Sequence, residues 1–269
     1  QNPMKVRFIH FIPLLWGVIN SLNGATFVVY PGENIQDKVS GASAGDVVII
    51  RGGTYPDQNI TMSQPIRLVR AKGTTVTIGG TITLSGISGE VVLRDFAINV
   101  NDKGKLVLKN CTKVGLEDLT LLPQGVDIEN STVVMRSCQL GPLSVSAGSD
   151  LELIKSDLGS VDSNASDLKI VETDFTSAYL YGGSALLQES NASDTVRIEN
   201  CAWRAHETHF QRFLAAKNCH SVVMRSTIDD AFAHFGPTYD CTIFQSTFGQ
   251  QHGHVLYSDA NRTYVTYST

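Results

Sequence analysis

The sequence predicts an all-β solenoid built from short parallel strands, and three observations support this fold class. The first is composition: charged residues make up only 17% of the 269 residues, while Gly, Ser, Thr and Asn are plentiful, as turn-rich β proteins require. The second is a short phrase that recurs along most of the chain. The third is a single helical pattern near the start, placed directly before an apolar strand.

The recurring phrase consists of an apolar residue, a charged or amide residue, and then Asn, Asp, Ser or Thr. It occurs eight times between residues 91 and 247, for example as VVLRDF, VVMRSC, VRIENC and VVMRST. Its apolar anchors follow one another at intervals of 17 to 27 residues: Leu93, Leu116, Met135, Ile154, Val171, Ile198, Met224 and Phe244. Such a period is typical of solenoids in which each coil supplies short strands to parallel sheets. Alternation then places the anchor inside, the charged residue outside and the small polar residue at the bend.

Cysteines recur with the same phrase. The chain contains five of them: Cys111, Cys138, Cys201, Cys219 and Cys241. An odd number without a Cys-x-x-Cys pair argues against a disulfide framework. Cys111 and Cys219 each precede an anchor by five residues, whereas Cys138 and Cys201 share another slot, three residues after an anchor. We therefore predict a stacked, mostly buried column of thiols rather than a redox site.

The first residues have the pattern of a secretory signal peptide. From Met4 the chain reads MKVRFIHFIPLLWGVINSLNGA, with two basic residues, an apolar run and small residues at the end, which predicts a signal peptide over residues 4–25. His10 and Pro13 interrupt a run already shorter than the roughly twenty apolar residues that span a bilayer. The mature chain, residues 26–269, is therefore expected to have no membrane span and to be secreted or on the cell surface.

A short helix is predicted within residues 31–60. Ile35, Val39 and Ala42 lie on one helical face, and the apolar strand Val47–Ile50 follows. A helix at this point would cover the first coil, whose strand edges would otherwise be unpaired.

The same N-terminal stretch carries a family resemblance. Its core, AGDVVIIRGGTY, resembles the first segment of right-handed parallel β-helix proteins of the pectate-lyase-like superfamily, and the resemblance covers residues 26–269. It implies a single-domain right-handed parallel β-helix with a short N-terminal capping helix. At the other end, RTYVTYST is a strand-like run without a cap, which leaves open that the sequence is a fragment lacking later coils.

Charge and composition exclude some partners. A net charge of −5 and a pI near 5.8 provide no basic patch to neutralise phosphates, so nucleic acid is not an expected partner. The sequence shows no constellation of three or more clustered carboxylates, so no cofactor is predicted and calcium is left open.

Two long intervals in the repeat predict where a site lies. The intervals of 27 and 26 residues run from Val171 to Met224, and six of the seven histidines fall between residues 206 and 254. Over-long coils bulge and can wall a groove on the outer face. The stretch RAHETHFQRF, residues 204–213, would be such a bulge. His206 and His209 are three residues apart, so they point to opposite faces of a strand, and no metal site is predicted.

Paired acids follow this stretch in IDDAF. Counting from the anchors sets Trp203 and Arg204 one coil before Asp229 and Asp230. An aromatic face, a cation and two acids are what a groove for acidic sugars needs. The other predicted substrate-binding residues are His206, His209, Arg212, Lys217, Arg225 and His234.

A second, local resemblance concerns these acids. STIDDAFAHFG followed by GQQHGHVLYS resembles the polygalacturonase family of glycoside hydrolases, in which an Asp-Asp pair precedes a Gly-His-Gly. It implies catalytic roles for Asp229, Asp230 and His254, with His252 as the alternative, in an inverting hydrolysis. The upstream Asn-Thr-Asp of that family would fall near HETHF, where Glu207 is the only acid.

A polysaccharide lyase is the second enzymatic hypothesis, since the N-terminal segment resembles that of lyases. β-Elimination needs a cation for the uronate carboxylate and a base for the neighbouring proton, for which Lys217, Arg225, Arg212 or a neutral histidine could serve. The sequence thus predicts an exported carbohydrate-active protein that cleaves or binds an acidic, uronate-containing polysaccharide in a groove on the outer face. The competing hypothesis is a non-catalytic cell-surface or adhesion module.

Overall fold

The computed structural model describes residues 24–98, 104–123, 125–146, 148–235, 240–248, 256–258 and 262–266. These residues form one helix and 31 strands, which stack in parallel as a solenoid of about 11 turns. The predicted all-β parallel solenoid is confirmed. Within the described ranges no helix is long and apolar enough to cross a membrane. Residues 4–23 of the predicted signal peptide lie outside the described residues.

The strands have the following bounds. They are β1 (Thr26–Val29), β2 (Val47–Ile50), β3 (Gly53–Tyr55), β4 (Ile60–Met62), β5 (Arg67–Arg70), β6 (Val76–Ile78), β7 (Ile82–Ser85), β8 (Glu90–Arg94), β9 (Ala97–Ile98), β10 (Leu106–Lys109), β11 (Lys113–Glu117), β12 (Thr120–Leu121), β13 (Val126–Glu129), β14 (Thr132–Arg136), β15 (Gln139–Leu140), β16 (Leu143–Val145), β17 (Asp150–Ile154), β18 (Asp157–Val171), β19 (Asp174–Gln188), β20 (Asn191–Ala192), β21 (Val196–Glu199), β22 (Ala202–His206), β23 (His209–Phe210), β24 (Phe213–Lys217), β25 (His220–Met224), β26 (Thr227–Ile228), β27 (Ala231–Phe235), β28 (Asp240–Phe244), β29 (Thr247–Phe248), β30 (Leu256–Ser258) and β31 (Arg262–Thr266).

Each coil contributes to three faces, which we number in chain order. In the coil that starts at Ala202, face 1 is β22, face 2 is the two-residue β23 and face 3 is β24. Each strand pairs with its counterparts in the coils before and after, as β22 does with β19 and β25. β18 and β19 continue through corners and therefore serve more than one face.

An unbroken inward column on face 1 fixes the register. Each of its members is the register partner of the next and is buried: Leu93, Leu116, Met135, Leu153, Ile170, Leu187, Ala205, Val223 and Ile243. The first three anchors of the sequence repeat belong to this column. Four other anchors each follow a member of this column by one residue: Ile154, Val171, Met224 and Phe244. The remaining anchor, Ile198, lies on face 3.

The two long intervals predicted from the repeat are therefore wrong. Val171 pairs with Gln188, Gln188 with His206, and His206 with Met224, so the separations are 17, 18 and 18 residues. The repeat missed one coil because a glutamine and a histidine occupy a position that is apolar in the two coils before them and the two coils after them. The stretch from Val171 to Met224 thus contains regular coils and no bulge.

The predicted small polar residue at the bend is confirmed at the corner between faces 1 and 2. Glu207 and Arg225 adopt positive φ values of 51° and 49°, and a hydroxyl residue follows each of them. Ser226 Oγ accepts the backbone N–H of Thr208 at 3.2 Å and donates to the carbonyl of Met224 at 2.9 Å. Six hydroxyl residues form this column: Ser156, Thr173, Ser190, Thr208, Ser226 and Ser246. These bonds pair backbone groups that the corner would otherwise leave unsatisfied.

All five cysteines are free and buried, as predicted. Burial raises the pKa of Cys138 to about 11 and that of Cys201 to about 12, so these thiols stay protonated at neutral pH. The shared slot predicted for Cys138 and Cys201 is wrong. Cys138 begins the hydroxyl column, with its N–H 3.2 Å from Ser156 Oγ, whereas Cys201 follows a positive-φ asparagine at the corner between faces 3 and 1. Cys111 and Cys219 do occupy equivalent positions at that second corner.

The predicted capping helix is present as α1, Ile35–Gly41. Asn34 caps it, because the side-chain oxygen accepts the N–H of Gln36 at 2.8 Å. Ile35 and Val39 are buried against β1, β2 and β4.

Candidate functional site

The predicted site residues are spread over three faces rather than gathered in one groove. Arg204 and His206 project from face 1, on β22, and Lys217 is exposed at the end of β24 on face 3. His209 lies on face 2, and Asp229 follows the face 2 strand of the next coil. The separation follows from the path of the chain, because β22, β23 and β24 are consecutive strands of one coil that lie on three different faces.

Trp203 does not provide the predicted sugar-stacking surface. Its side chain is inside the solenoid, 1% exposed, and Nε1–H donates to Ser221 Oγ at 2.6 Å. Its register partners in the neighbouring coils are Ala185 and Ser221, whose small side chains leave room for the indole. The prediction failed because the anchor chosen for that coil, Ile198, belongs to face 3.

The charged residues around Glu207 form ion pairs at the corner between faces 1 and 2. Glu207 Oε1 lies 3.4 Å from Arg225 Nη1 and 3.8 Å from His206 Nε2. At the other end of face 2, at the turn to face 3, Arg212 Nη1 contacts Asp194 Oδ1 at 3.5 Å. These pairs are partly exposed, and each contributes about 0 to 1 kcal/mol.

His209 and Asp229 form a close histidine–carboxylate contact on face 2. His209 Nε2 lies 2.7 Å from Asp229 Oδ2, and the two side chains are 42% and 40% exposed. His209 is the register partner of Thr227, and the N–H of Asp229 donates to the carbonyl of Phe210 at 2.9 Å. Because both backbones belong to the ladder of face 2, the two side chains are held next to each other.

Other polar residues follow this pair at the turn between faces 2 and 3. Asp230 follows directly and is half-buried, and Arg212 lies three residues after His209 in the same coil. Gln211 Nε2 donates to Asn191 Oδ1 at 3.1 Å. We call His209, Arg212, Asp229 and Asp230 the corner patch. It supplies a histidine, a guanidinium and two carboxylates at the turn between faces 2 and 3.

The arrangement suits proton transfer. A carboxylate on one imidazole nitrogen fixes the ring and its tautomer, so that the other nitrogen can exchange a proton with a ligand. No group of three or more His, Cys, Asp or Glu side chains in the described part of the chain could hold a metal ion.

Three of the predicted histidines cannot be placed as site residues. His252 and His254 lie outside the described residues. His234 belongs to β27, where its register partner is Ala216, a buried residue of face 3. The catalytic roles of His252 and His254, and the binding role of His234, stay predictions.

Of one group of residues on face 3, sequence reasoning predicted only Lys217 and missed the residues next to it. Tyr179 and Tyr181 are 40% and 42% exposed, and their register partners one coil later are Arg197 and Glu199. Lys217 follows Glu199 in the next coil. The alternation in AYLYGG, with a buried leucine between two tyrosines, is a signal that could have indicated outward-facing aromatic rings.

No protein-family model and no curated protein matches the sequence. Among solved structures, the chain is similar to the A-modules of two mannuronan C-5 epimerases of Azotobacter vinelandii. For AlgE6 the identity is 13% and the TM-score 0.38, over 87% of this chain and 94% of that one. For AlgE4 the values are 12% and 0.40, over 86% and 94%. ORF18 of Geobacillus virus E2 is similar with 14% identity and a TM-score of 0.28, over 80% and 57%. These similarities assign no function to this chain.

Proposed function

We propose that this protein acts on an acidic, uronate-containing polysaccharide held against the outer surface of its later coils. The observation that carries the proposal is the contact between His209 Nε2 and Asp229 Oδ2, 2.7 Å, between side chains that are both about two-fifths exposed. An oriented imidazole within reach of solvent is a suitable acid–base group. Arg212 belongs to the same corner patch and is 67% exposed, so it would exchange its contact with Asp194, at 3.5 Å, for a carboxylate of the same ligand.

These groups favour β-elimination. In that reaction a base removes the proton from the carbon that bears the carboxylate, the bond to the glycosidic oxygen on the next carbon breaks, and a double bond forms between the two carbons. The leaving oxygen takes up a proton. Neutral His209 would be the base, with Asp229 holding the ring and stabilising the imidazolium that forms. Arg212 would stabilise the negative charge that develops on the carboxylate.

Inverting hydrolysis is less well supported by the corner patch. It needs two carboxyl groups on opposite sides of the glycosidic bond, about 6.5 to 9.5 Å apart. Asp229 is already bound to His209, which leaves Asp230 as the remaining predicted acid of the pair.

The assay that tests this proposal separates the reactions. Purified protein is incubated with uronate polymers, and both new reducing ends and the ultraviolet absorbance of an unsaturated product are followed. Elimination produces both signals, whereas hydrolysis produces only reducing ends. We expect His209→Gln to lower the elimination rate by at least about 100-fold. Asp229→Asn should lower it as well, while Lys155→Gln, at an exposed ion pair elsewhere, should leave it unchanged. Normal turnover in His209→Gln would exclude the pair from the mechanism.

The alternative is a non-catalytic surface module. The tyrosines and cations of face 3 favour it, because they suit binding and lie apart from the acid–base pair. Binding of a uronate polymer without either product would support this alternative. Export is part of both proposals, and recovery of the processed chain from the culture medium, with its N-terminus determined, tests the predicted signal peptide.

A further inference from the structure

Face 3 changes its outward surface along the solenoid. In an early coil its outward lysines are paired with acids of the next coil: Lys105 with Asp127, and Lys109 with Glu129 at 2.8 Å. In the later coils Arg197 and Lys217 are exposed. Neither has a carboxylate within 4.0 Å in the part of the chain that the structure describes. Two cations on one face are thus left available to a ligand.

Two aromatic rings stand beside these cations. Tyr179 and Tyr181 are two residues apart on β19, so they project from the same side of the strand. Each is about two-fifths exposed, so the two rings together form an outward aromatic surface on this face. The four residues belong to two outward columns of face 3. In one column Tyr179 is the register partner of Arg197. In the other, Tyr181 pairs with Glu199 and Glu199 with Lys217, so Lys217 lies two coils after Tyr181.

The corner next to Tyr181 has no side chains. Gly182 and Gly183 both adopt positive φ, 68° and 73°. A Cβ on Gly183 would lie 2.0 Å from the carbonyl oxygen of Ser166, so the backbones touch there. In the following coils the same corner holds Asn200–Cys201 and Asn218–Cys219. The flank of Tyr181 is therefore bare backbone, which leaves the ring accessible from that side.

Charges of both signs act on the phenol of Tyr179. Partial burial, with Glu199, Tyr181 and Asp162, raises the pKa of Tyr179, and Arg197 opposes the shift. The phenol therefore remains protonated at neutral pH, where it can donate and accept hydrogen bonds.

We infer that Tyr179, Tyr181, Arg197 and Lys217, the tyrosine strip, bind a segment of an acidic polysaccharide. The rings offer flat apolar faces to sugar rings, and the guanidinium and ammonium groups bind carboxylates by charge-assisted hydrogen bonds. The acids in the same columns can accept hydrogen bonds from hydroxyl groups. The ligand class rests on the proposed function, but the strip does not need the His209–Asp229 pair, which lies at another face.

The dimensions of the strip fit a short stretch of polymer. Neighbouring coils are about 4.8 Å apart, and residues two positions apart on a strand are about 6.6 Å apart. The backbone positions from Tyr179 to Lys217 therefore cover on the order of 10 Å along the solenoid axis.

The test compares two matched double variants. Arg197→Gln/Lys217→Gln removes the unpaired cations, and Lys105→Gln/Lys109→Gln removes two paired cations from the same face, with an equal change in net charge. Calorimetry measures binding of each to a uronate oligosaccharide and to the same oligosaccharide with its carboxyls methyl-esterified. We expect the first variant to bind the acidic ligand at least about tenfold more weakly, and the second to bind within about twofold of the original protein.

The tyrosines are tested in the same assay. Tyr179→Ala/Tyr181→Ala should weaken binding by about tenfold or more, while Tyr179→Phe/Tyr181→Phe, which keeps the rings, should retain most of it. Thermal unfolding of each variant shows that the fold is intact.

The outcomes separate this inference from the proposed function. Three results would contradict binding at the tyrosine strip: an equal loss of affinity in both cation variants, no loss in either, or equal affinity for the acidic and the esterified ligand. Loss of binding in His209→Gln with normal binding in the strip variants would place the ligand at the corner patch, so that the strip fails and the proposed function stands. Loss of binding in the strip variants, with no polymer turned over, would leave the strip standing and refute the proposed reaction.

Discussion

The early and late parts of face 3 have the same interior and different exteriors. Leu108 and Ile128 in the early coils, and Leu180 and Ile198 in the late coils, occupy one inward column and are all buried. The outward neighbours differ, because the early coils carry lysines paired with acids and the late coils carry tyrosines with unpaired cations. In a solenoid each coil contacts only its neighbours, so the outward columns can change without any change in the ladder that supports them.

The core of face 1 also differs between early and late coils. Val91, Val114 and Val133 follow one another in an early inward column, whereas the same column later contains Trp203 between two small residues. In the late coils, this column of face 1 therefore depends on one large side chain, Trp203.

The largest expected effect is on that side chain. Trp203→Ala should lower the free energy of unfolding by about 3 to 5 kcal/mol, because a fully buried indole leaves a cavity. Ser221→Ala should cost about 1 to 3 kcal/mol, since it leaves the indole N–H without its acceptor. Denaturant unfolding measures both. Under conditions where Trp203→Ala remains folded, binding to uronate polymer should be unchanged, and a loss of binding would contradict the interior position of the indole.

The next effect concerns the bare corner beside Tyr181. Gly183→Ala should destabilise the protein by about 3 kcal/mol, since positive φ and contact with the Ser166 carbonyl both oppose a Cβ. Gly86→Ala is an early control at the same corner, one position before the slot of Gly183: its φ is +65°, but nothing lies within 4 Å of a Cβ there, so about 1 kcal/mol is expected. Equal losses in thermal or denaturant unfolding would mean that the late corner is no tighter than the early one.

Much of the architecture was predictable from local sequence. The phrase that ends in Ser or Thr predicted the bends, since a hydroxyl at that position can pair the backbone groups of the corner. Ile35, Val39 and Ala42 predicted the capping helix through their spacing alone. Such features depend on residues close together in the chain, and the structure confirms both.

The register was harder to predict, and the candidate site depends on it. Gln188 and His206 occupy outward positions that are apolar in the two coils before them and the two coils after them, so three short coils were counted as two longer ones. That error turned Trp203 outward. The tyrosine strip was missed for the same reason, because recognising it requires the register. Tyr181 and Lys217 are 36 positions apart in the sequence, and only the ladder of face 3 brings them into one column.

The smallest effect comes from making the early coils resemble the late ones. Asp127→Asn/Glu129→Gln removes the acids that pair with Lys105 and Lys109. Because these pairs are exposed, the loss in stability should be below about 1 kcal/mol for each. The released lysines should raise the affinity for a uronate oligosaccharide by only about two- to threefold at low salt, and not at high salt, since no exposed tyrosines stand next to them.

The matched control for this change lies on face 1. Glu90→Gln/Glu152→Gln makes the same change in net charge, at acids that pair with Lys113 and Lys169 at 2.7 Å. If it raises affinity as much as the face 3 variant does, net charge explains the gain. A gain in affinity well above about threefold for Asp127→Asn/Glu129→Gln would contradict the expectation. The paired acids alone would then account for the difference between the two ends of face 3, and the tyrosines would be dispensable. A modest gain that is confined to face 3 is the expected result. It would show that strong binding of the oligosaccharide needs exposed aromatic rings as well as unpaired cations.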